Sequence, residues 1–125
     1  MIYWLIYIIT EAFIQANSIK AGNRPVYIVL FIIRAMASIF HGIFLDVQYG
    51  TWQYPILLGF QVCIFYALFD FLLNAFRKIP NIWSYRGLNS GTLDKLPLPY
   101  WYALKAICLI GAIIFYILGL NYWNY

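Results

Sequence analysis

Four charged side chains interrupt otherwise apolar segments of this sequence: Glu11, Arg34, Asp70 and Lys105. A lone charge at the centre of a membrane helix costs about 2.5–3.5 kcal/mol on insertion scales, so each charge requires a partner or a task. Two acids and two bases balance one another, and they could pair to fix helices in register. An intramembrane carboxylate could instead bind and release a proton or a cation, which is the chemistry of a transporter or channel.

Pairing suits an arginine in this setting, because its planar guanidinium binds a carboxylate at two points. Counting from the segment ends at about 1.5 Å per residue places all four charges in one layer, roughly 9–15 Å inside the cytoplasmic edge of the membrane. We therefore expect Arg34 to face the interior and to contact Glu11, Asp70 or both. Lys105 is the shallowest of the four and the weakest member of the layer, because its long side chain could reach the interface.

Two further polar residues share faces with these charges at helical spacing. His41 follows Arg34 by seven residues, and Asn74 follows Asp70 by four. An imidazole in this position could titrate near neutral pH. The charge balance favours a structural lock, and the alternative is a proton-, cation- or small-solute-conducting path that uses Glu11 and Asp70. The predicted intramembrane polar cluster comprises Glu11, Arg34, His41, Asp70, Asn74 and Lys105.

Catalysis is disfavoured by the small number of suitable residues. The chain has one histidine, whereas intramembrane metal hydrolases need several histidine or carboxylate ligands at suitable spacing. Ser38 precedes His41 by three residues, but this spacing on a helix is common without any nucleophile. We therefore predict that the protein is not an enzyme and uses no metal and no cofactor.

Composition identifies the surroundings of these residues, because 65% of the 125 residues are hydrophobic and only 10% are charged. A soluble domain has about 45–50% apolar and about 25% charged residues, so lipid is the solvent that this chain fits. The net charge of +4 forms no basic stripe, which argues against nucleic acid as a partner. The sequence predicts an all-α, four-transmembrane-helix bundle in a single domain, 1–125. The predicted helices cover 2–19, 25–47, 52–76 and 99–120.

Lysine and arginine outside these segments fall only in the first and third connections. Cytoplasmic loops are enriched in both residues, so these connections are assigned to the cytoplasm and both termini to the outside. We expect a bacterial inner membrane, with lipids in contact and either a homo-oligomer or a partner membrane protein. The cations concerned are Lys20, Arg24, Arg77, Lys78, Arg86 and Lys95.

The third connection, 77–98, is the longest polar stretch of the chain. Its backbone amides and basic side chains could hold a phosphate or an anionic lipid headgroup, or a partner protein could dock there. The alternative is a simple cytoplasmic turn in which Thr92 or Asp94 caps a short helix. The candidate anion or partner site comprises Arg86, Ser90, Thr92 and Lys95.

Three stretches, RAMASIFHGIFLD, FDFLLNAFRK and WSYRGLNSGTLDK, resemble recurrent stretches of small uncharacterised membrane proteins of Bacteroidetes-type bacteria and their phages. That resemblance implies no known activity, although a phage setting would imply a holin-like lysis role. The length, the four spans and the glutamate in the first segment are also similar to small multidrug-resistance transporters. In that family such a glutamate binds protons and cationic drugs within a dimer, and Glu11 is the position that would carry this role. The charged residues of the other three segments depart from that family's pattern.

Overall fold

The computed structural model of the chain describes residues 2–23, 26–79 and 97–120. Its four helices are α1 (Ile2–Lys20), α2 (Tyr27–Phe44), α3 (Gln53–Phe76) and α4 (Leu98–Gly119). At about 1.5 Å per residue, helices of 18–24 residues are long enough to cross the hydrocarbon core of a bilayer, and all four are apolar enough to do so. The predicted all-α, four-helix class is confirmed, and no strand occurs in the described ranges.

The second predicted segment, 25–47, extends beyond the observed helix, because α2 ends at Phe44. Leu45 and Val47 are as apolar as helix residues, but they lie in the turn that follows and are buried in the core. Hydrophobicity alone therefore overstates the length of this helix. The other three predicted segments agree with the observed helices to within one residue at each end.

Three of the helices end in the same kind of turn, with one residue in the left-handed region: Gly22 (φ 85°), Asp46 (φ 55°) and Lys78 (φ 56°). In each turn the amide of the next residue bonds to a carbonyl five residues earlier, as Ile79 N does to Asn74 O at 3.1 Å. This Schellman arrangement satisfies carbonyls that a helix end would otherwise leave unpaired. Glycine adopts the conformation freely, whereas Asp46 and Lys78 adopt it at a steric cost.

Helix α3 lies at the centre of the bundle, where it packs along α4 and along α1, while α2 makes less extensive contact with α1 and α3. Small residues bring α3 and α4 close together. A Cβ atom added at Gly59 would lie 2.7 Å from the ring of Phe115, and one added at Gly111 would lie 3.2 Å from Cys63 Sγ. Close approach of this kind stabilises membrane helix pairs, since lipid removes the hydrophobic driving force between helices.

The C-terminal ends of α1 and α3 lie together. Lys20 Nζ donates a hydrogen bond to the carbonyl oxygen of Phe76, the last residue of α3, at 2.9 Å. Phe13 of α1 packs edge-on against the Phe76 ring with a centroid distance of 5.5 Å. A cation at a helix C-terminus is favoured by the helix dipole as well as by the hydrogen bond. The first connection and the start of the third therefore share one end of the bundle.

Helix α2 reverses the pattern of a soluble protein. Its buried residues are Ser38, His41 and Gly42, whereas large apolar side chains such as Phe31 and Phe44 are 71% and 66% exposed. A soluble helix would bury the phenylalanines and expose the polar residues. The reversal supports an integral membrane protein, in which lipid covers the apolar face and the bundle interior satisfies the polar one.

Candidate functional site

The first of two interior ion pairs joins α1 to α2. Arg34 Nε donates to Glu11 Oε1 at 2.9 Å and lies 3.2 Å from Oε2. The Tyr7 hydroxyl, one turn earlier on α1, donates to Oε1 at 2.9 Å. The Arg34 guanidinium carbon also lies 4.5 Å and 5.5 Å from the ring centroids of Phe65 and Phe69 on α3. This pair therefore connects three helices through charge-assisted hydrogen bonds and cation–π contacts.

The second ion pair joins α3 to α4. Lys105 Nζ donates to Asp70 Oδ2 at 2.6 Å and also to the backbone carbonyl oxygen of Tyr66. The same ammonium lies 3.9 Å from the Tyr66 ring centroid and 5.2 Å from that of Trp101. Carboxylate, carbonyl and aromatic faces together replace much of the hydration that an ammonium loses on leaving water.

Two features of these charges go beyond the sequence. Lys105 was expected to be the weakest member of the polar cluster, but it is only 5% exposed and its charge is held inside the bundle. Arg34 pairs with Glu11, whereas Asp70 pairs with Lys105. The interior charges of the described helices are thus two ion pairs on different sides of α3.

A separate polar network surrounds Gln61, in the middle of α3. Its Nε2 atom is 2.8 Å from His41 Nδ1 and 3.5 Å from the carbonyl oxygen of Ser38, both on α2. Its Oε1 atom accepts a hydrogen bond from the Ser38 hydroxyl. Ser38 Oγ is in turn 2.8 Å from the hydroxyl of Tyr54, near the start of α3. The network connects the two helices through four side chains.

The hydrogen bonds of this network point in one direction. A carbonyl oxygen can only accept a hydrogen bond, so the Gln61 atom that faces the Ser38 carbonyl must be the amide nitrogen. The same nitrogen donates to His41 Nδ1, which must therefore be an acceptor. The neutral imidazole therefore carries its proton on Nε2. Ser38 gives its one proton to Gln61, so Tyr54 donates to Ser38. The chain of bonds ends at His41 Nε2–H, which is buried and has no partner among the described residues.

Trp4 of α1 holds this network in place. Its indole stacks on the His41 ring with a centroid distance of 5.9 Å and an interplanar angle of 7°, and its Nε1 donates to the Gln61 backbone carbonyl at 3.0 Å.

Gln15, one turn beyond Glu11 on α1, has a buried amide nitrogen that lacks a partner in the described structure. Two unpaired buried donors, on His41 and Gln15, therefore lie in the interior that also holds the Glu11–Arg34 pair.

Tyr49 lies in the turn between α2 and α3. Its hydroxyl donates a hydrogen bond to the carbonyl oxygen of Ile39 and lies against Gly42, where a Cβ atom would clash with it. Desolvation and the neighbouring Tyr54 phenol raise the pKa of Tyr49 above its ordinary value, so the hydroxyl is an uncharged donor at neutral pH. This contact returns the α2–α3 turn onto α2.

The structure distributes the predicted polar cluster over three sites. Glu11 with Arg34 and Asp70 with Lys105 form the ion pairs, and His41 belongs to the Gln61 network. Asn74 is buried on α3, one turn beyond Asp70. The candidate loop residues Arg86, Ser90, Thr92 and Lys95 lie outside the described residues.

Sequence reasoning missed Gln61, Trp4 and Tyr54. Gln61 had a usable signal, since it is a lone amide in the middle of an apolar segment and follows Tyr54 by seven residues, which places both on one face of α3. Trp4 is indistinguishable in sequence from the interfacial tryptophans near other segment ends. Its interior role depends on the rotation of α1, which composition does not reveal.

No group of three or more histidine, cysteine, aspartate or glutamate side chains that could hold a metal ion occurs in the described part of the chain. The two cysteines are free thiols and partly buried. No family model, curated protein or solved structure matches the sequence.

Proposed function

We propose that the chain is a non-enzymatic integral membrane protein that serves as a subunit of a membrane assembly, with its interior charges acting as locks between helices. Pairing is the observation that carries this proposal. Each charged side chain inside the described helices, away from their ends, has an opposite charge on a neighbouring helix. A cation carrier needs a carboxylate that is available to its cargo, whereas Glu11 is engaged by Arg34 and Tyr7, and Asp70 by Lys105.

The proposal places the protein in a bacterial inner membrane with both termini outside. The shared end of α1 and α3 supports this orientation, because Lys20, Arg77 and Lys78 all lie at that end. Cationic ends of membrane helices are retained in the cytoplasm.

A second candidate function is proton or cation conduction through the interior near Glu11. The unpaired donors of His41 and Gln15 favour it, because a buried N–H without an acceptor is costly and could be satisfied by water or a permeating group. Glu11 lies on the same helix as Gln15 and would be the carboxylate that binds the proton or cation in such a path.

Flux through liposomes separates the two functions. The purified protein is reconstituted, and proton and monovalent-cation movement is followed with entrapped fluorescent indicators for the wild type, Glu11→Gln and Asp70→Asn. Empty liposomes serve as the baseline, and circular dichroism verifies that each variant is helical. The lock proposal expects no flux above the baseline from folded wild-type protein.

Flux that Glu11→Gln removes, from a variant that keeps its helicity, would overturn the lock proposal in favour of conduction. Flux that both substitutions leave unchanged would place a path away from the ion pairs and would equally contradict the expectation of a non-conducting protein. Nonspecific release of a large entrapped dye would indicate membrane lesions of the holin type.

A further inference from the structure

An exposed apolar face of α3 lies between the residues that α2 contacts and those that α4 contacts. Arg34 of α2 covers Phe65 and Phe69 on one border, and Lys105 of α4 holds Asp70 and Tyr66 on the other. Helical spacing places Val62 of α3 between these borders and Leu58, one turn earlier, on the face of Phe65. The Val62 and Leu58 side chains are 59% and 39% exposed, although α3 is the central helix of the bundle. We name this surface, between the Arg34 and Asp70 borders, the Val62 groove.

Each border of the Val62 groove carries a half-exposed charge. The Arg34 side chain is 34% exposed, and the Asp70 side chain is 30% exposed. Arg34 bonds through Nε, which leaves its two terminal nitrogens without a hydrogen-bond partner in the described structure, and Asp70 bonds through Oδ2 alone. Contact between such charged groups and hydrocarbon costs free energy, so a partner that carries charges of its own would stabilise this surface.

The two charges lie within about one helical turn of each other along α3. The Arg34 guanidinium sits between Phe65 and Phe69, and Asp70 directly follows Phe69 on α3. Side chains on a helix lean towards its N-terminus, and α2 and α3 run in opposite directions, so Arg34 and Asp70 lean towards each other in depth. One border is therefore positive and the other negative within about one helical turn.

We propose that a second copy of this chain covers the Val62 groove, related by a two-fold axis along the membrane normal. Such an axis exchanges the two borders, so Arg34 faces the partner's Asp70 and Asp70 faces the partner's Arg34. Both copies keep the same orientation in the membrane, as their loop charges demand. A lipid chain would cover Val62 but would offer no partner to the terminal nitrogens of Arg34 or to Asp70 Oδ1. This dimer rests on the proposed subunit role, since it names the partner.

Disulfide crosslinking tests the position of the axis. In a Cys63→Ala/Cys108→Ala background, Val62→Cys should form a crosslinked dimer in native membranes under mild oxidation, because Val62 lies close to its symmetry mate. Ile110→Cys on α4 is the matched control, with 57% exposure against 59% for Val62 and a direction away from α3. Equal crosslinking of both variants, or none at Val62, would overturn the dimer.

Exchange of charges tests the complementarity of the borders. Glu11→Arg/Arg34→Glu keeps its ion pair within the chain but reverses the charge at the α2 border. Asp70→Lys/Lys105→Asp does the same at the α4 border. Each double variant should lower the dimer fraction by about tenfold in dilute liposomes, and the quadruple variant should restore it. Single-molecule photobleaching measures the stoichiometry.

Persistent dimers in the folded double variants, or no restoration in a folded quadruple variant, would contradict the charge pairing. These readouts count subunits and do not depend on flux. A conducting dimer would therefore refute the lock proposal and leave the dimer intact, and a non-conducting monomer would do the reverse.

Discussion

The two interior ion pairs are mirror images in how they are buried. In the α1–α2 pair the acid is inside, with a Glu11 side chain only 7% exposed, and the base, Arg34, is 34% exposed. In the α3–α4 pair the base is inside, with Lys105 5% exposed, and the acid, Asp70, is 30% exposed. The buried member depends on its partner, whereas the more exposed member has room to find another. Removing the exposed member of either pair should therefore be more damaging than removing the buried one.

The helices around the two pairs differ as well. Lys105 sits in the closely packed α3–α4 contact, which Gly59 and Gly111 permit, and has a carbonyl and two aromatic rings beside it. Arg34 extends from α2, which contacts its neighbours less extensively, onto the exposed side of α3. Packing therefore holds α4 in place, whereas α2 depends more on its polar contacts. This difference predicts which substitutions in each half matter.

The largest effect is expected from Asp70→Leu, which leaves the buried Lys105 charge without a carboxylate. The free energy of unfolding in mixed micelles should fall by about 3 kcal/mol. Lys105→Met is the matched control, and it should cost about 1 kcal/mol because the Asp70 side chain is partly exposed. Equal losses for the two variants would contradict the proposed difference between the exposed and the buried member of an ion pair.

A smaller loss is expected from Arg34→Met, about 2 kcal/mol, because Glu11 keeps its hydrogen bond from Tyr7. Adding Glu11→Gln should recover much of that loss, since the amide carries no charge. The measurement is SDS-titrated unfolding of both variants and of Arg34→Met/Tyr7→Phe, which should be the least stable of the three. If Glu11→Gln fails to improve Arg34→Met, the unpaired carboxylate is not the cause of the loss.

Packing of the α3–α4 contact can be tested with Gly59→Ala, whose new methyl would overlap the Phe115 ring. The expected loss is about 1–3 kcal/mol, read from the thermal unfolding of purified protein in detergent. Gly42→Ala would meet the end of the Tyr49 side chain, which can swing away, and should cost less. Phe115→Leu should rescue Gly59→Ala, and a tolerated Gly59→Ala would mean that α3 and α4 are less closely packed than described.

The smallest effect concerns the helix ends, which belong to neither pair. Lys78→Gly places a glycine at φ 56° and should stabilise the protein by up to about 1 kcal/mol. Gly22→Ala, at φ 85°, should destabilise it by a similar amount. Thermal unfolding of the two variants beside the wild type gives the signs, and a stabilising Gly22→Ala would contradict the left-handed assignment.

Sequence reasoning succeeded where hydrophobicity alone decides the outcome, as it does for the number and type of helices. It placed the end of α2 too late, at Val47 and not at Phe44, because an apolar residue can be buried in a turn as well as in a helix. Counting along each helix from the segment ends predicts that Arg34 and Asp70 lie in one layer, and this stays a prediction. Such counting does not give the rotation of each helix, so the sequence leaves open whether Arg34 pairs with Glu11, Asp70 or both. Distance to the interface also takes no account of the Tyr66 and Trp101 rings beside Lys105.

Each ion pair joins helices that follow one another in the chain, α1 with α2 and α3 with α4. Membrane helices emerge from the ribosome in this order and pass from the translocon into lipid. Glu11 would enter the bilayer poorly alone, but a hairpin that also carries Arg34 is electrically neutral in its interior. The same holds for the hairpin of Asp70 and Lys105. The pairing therefore predicts two neutral insertion steps, and a released chain that is truncated in the turn between α2 and α3 should insert its first hairpin stably.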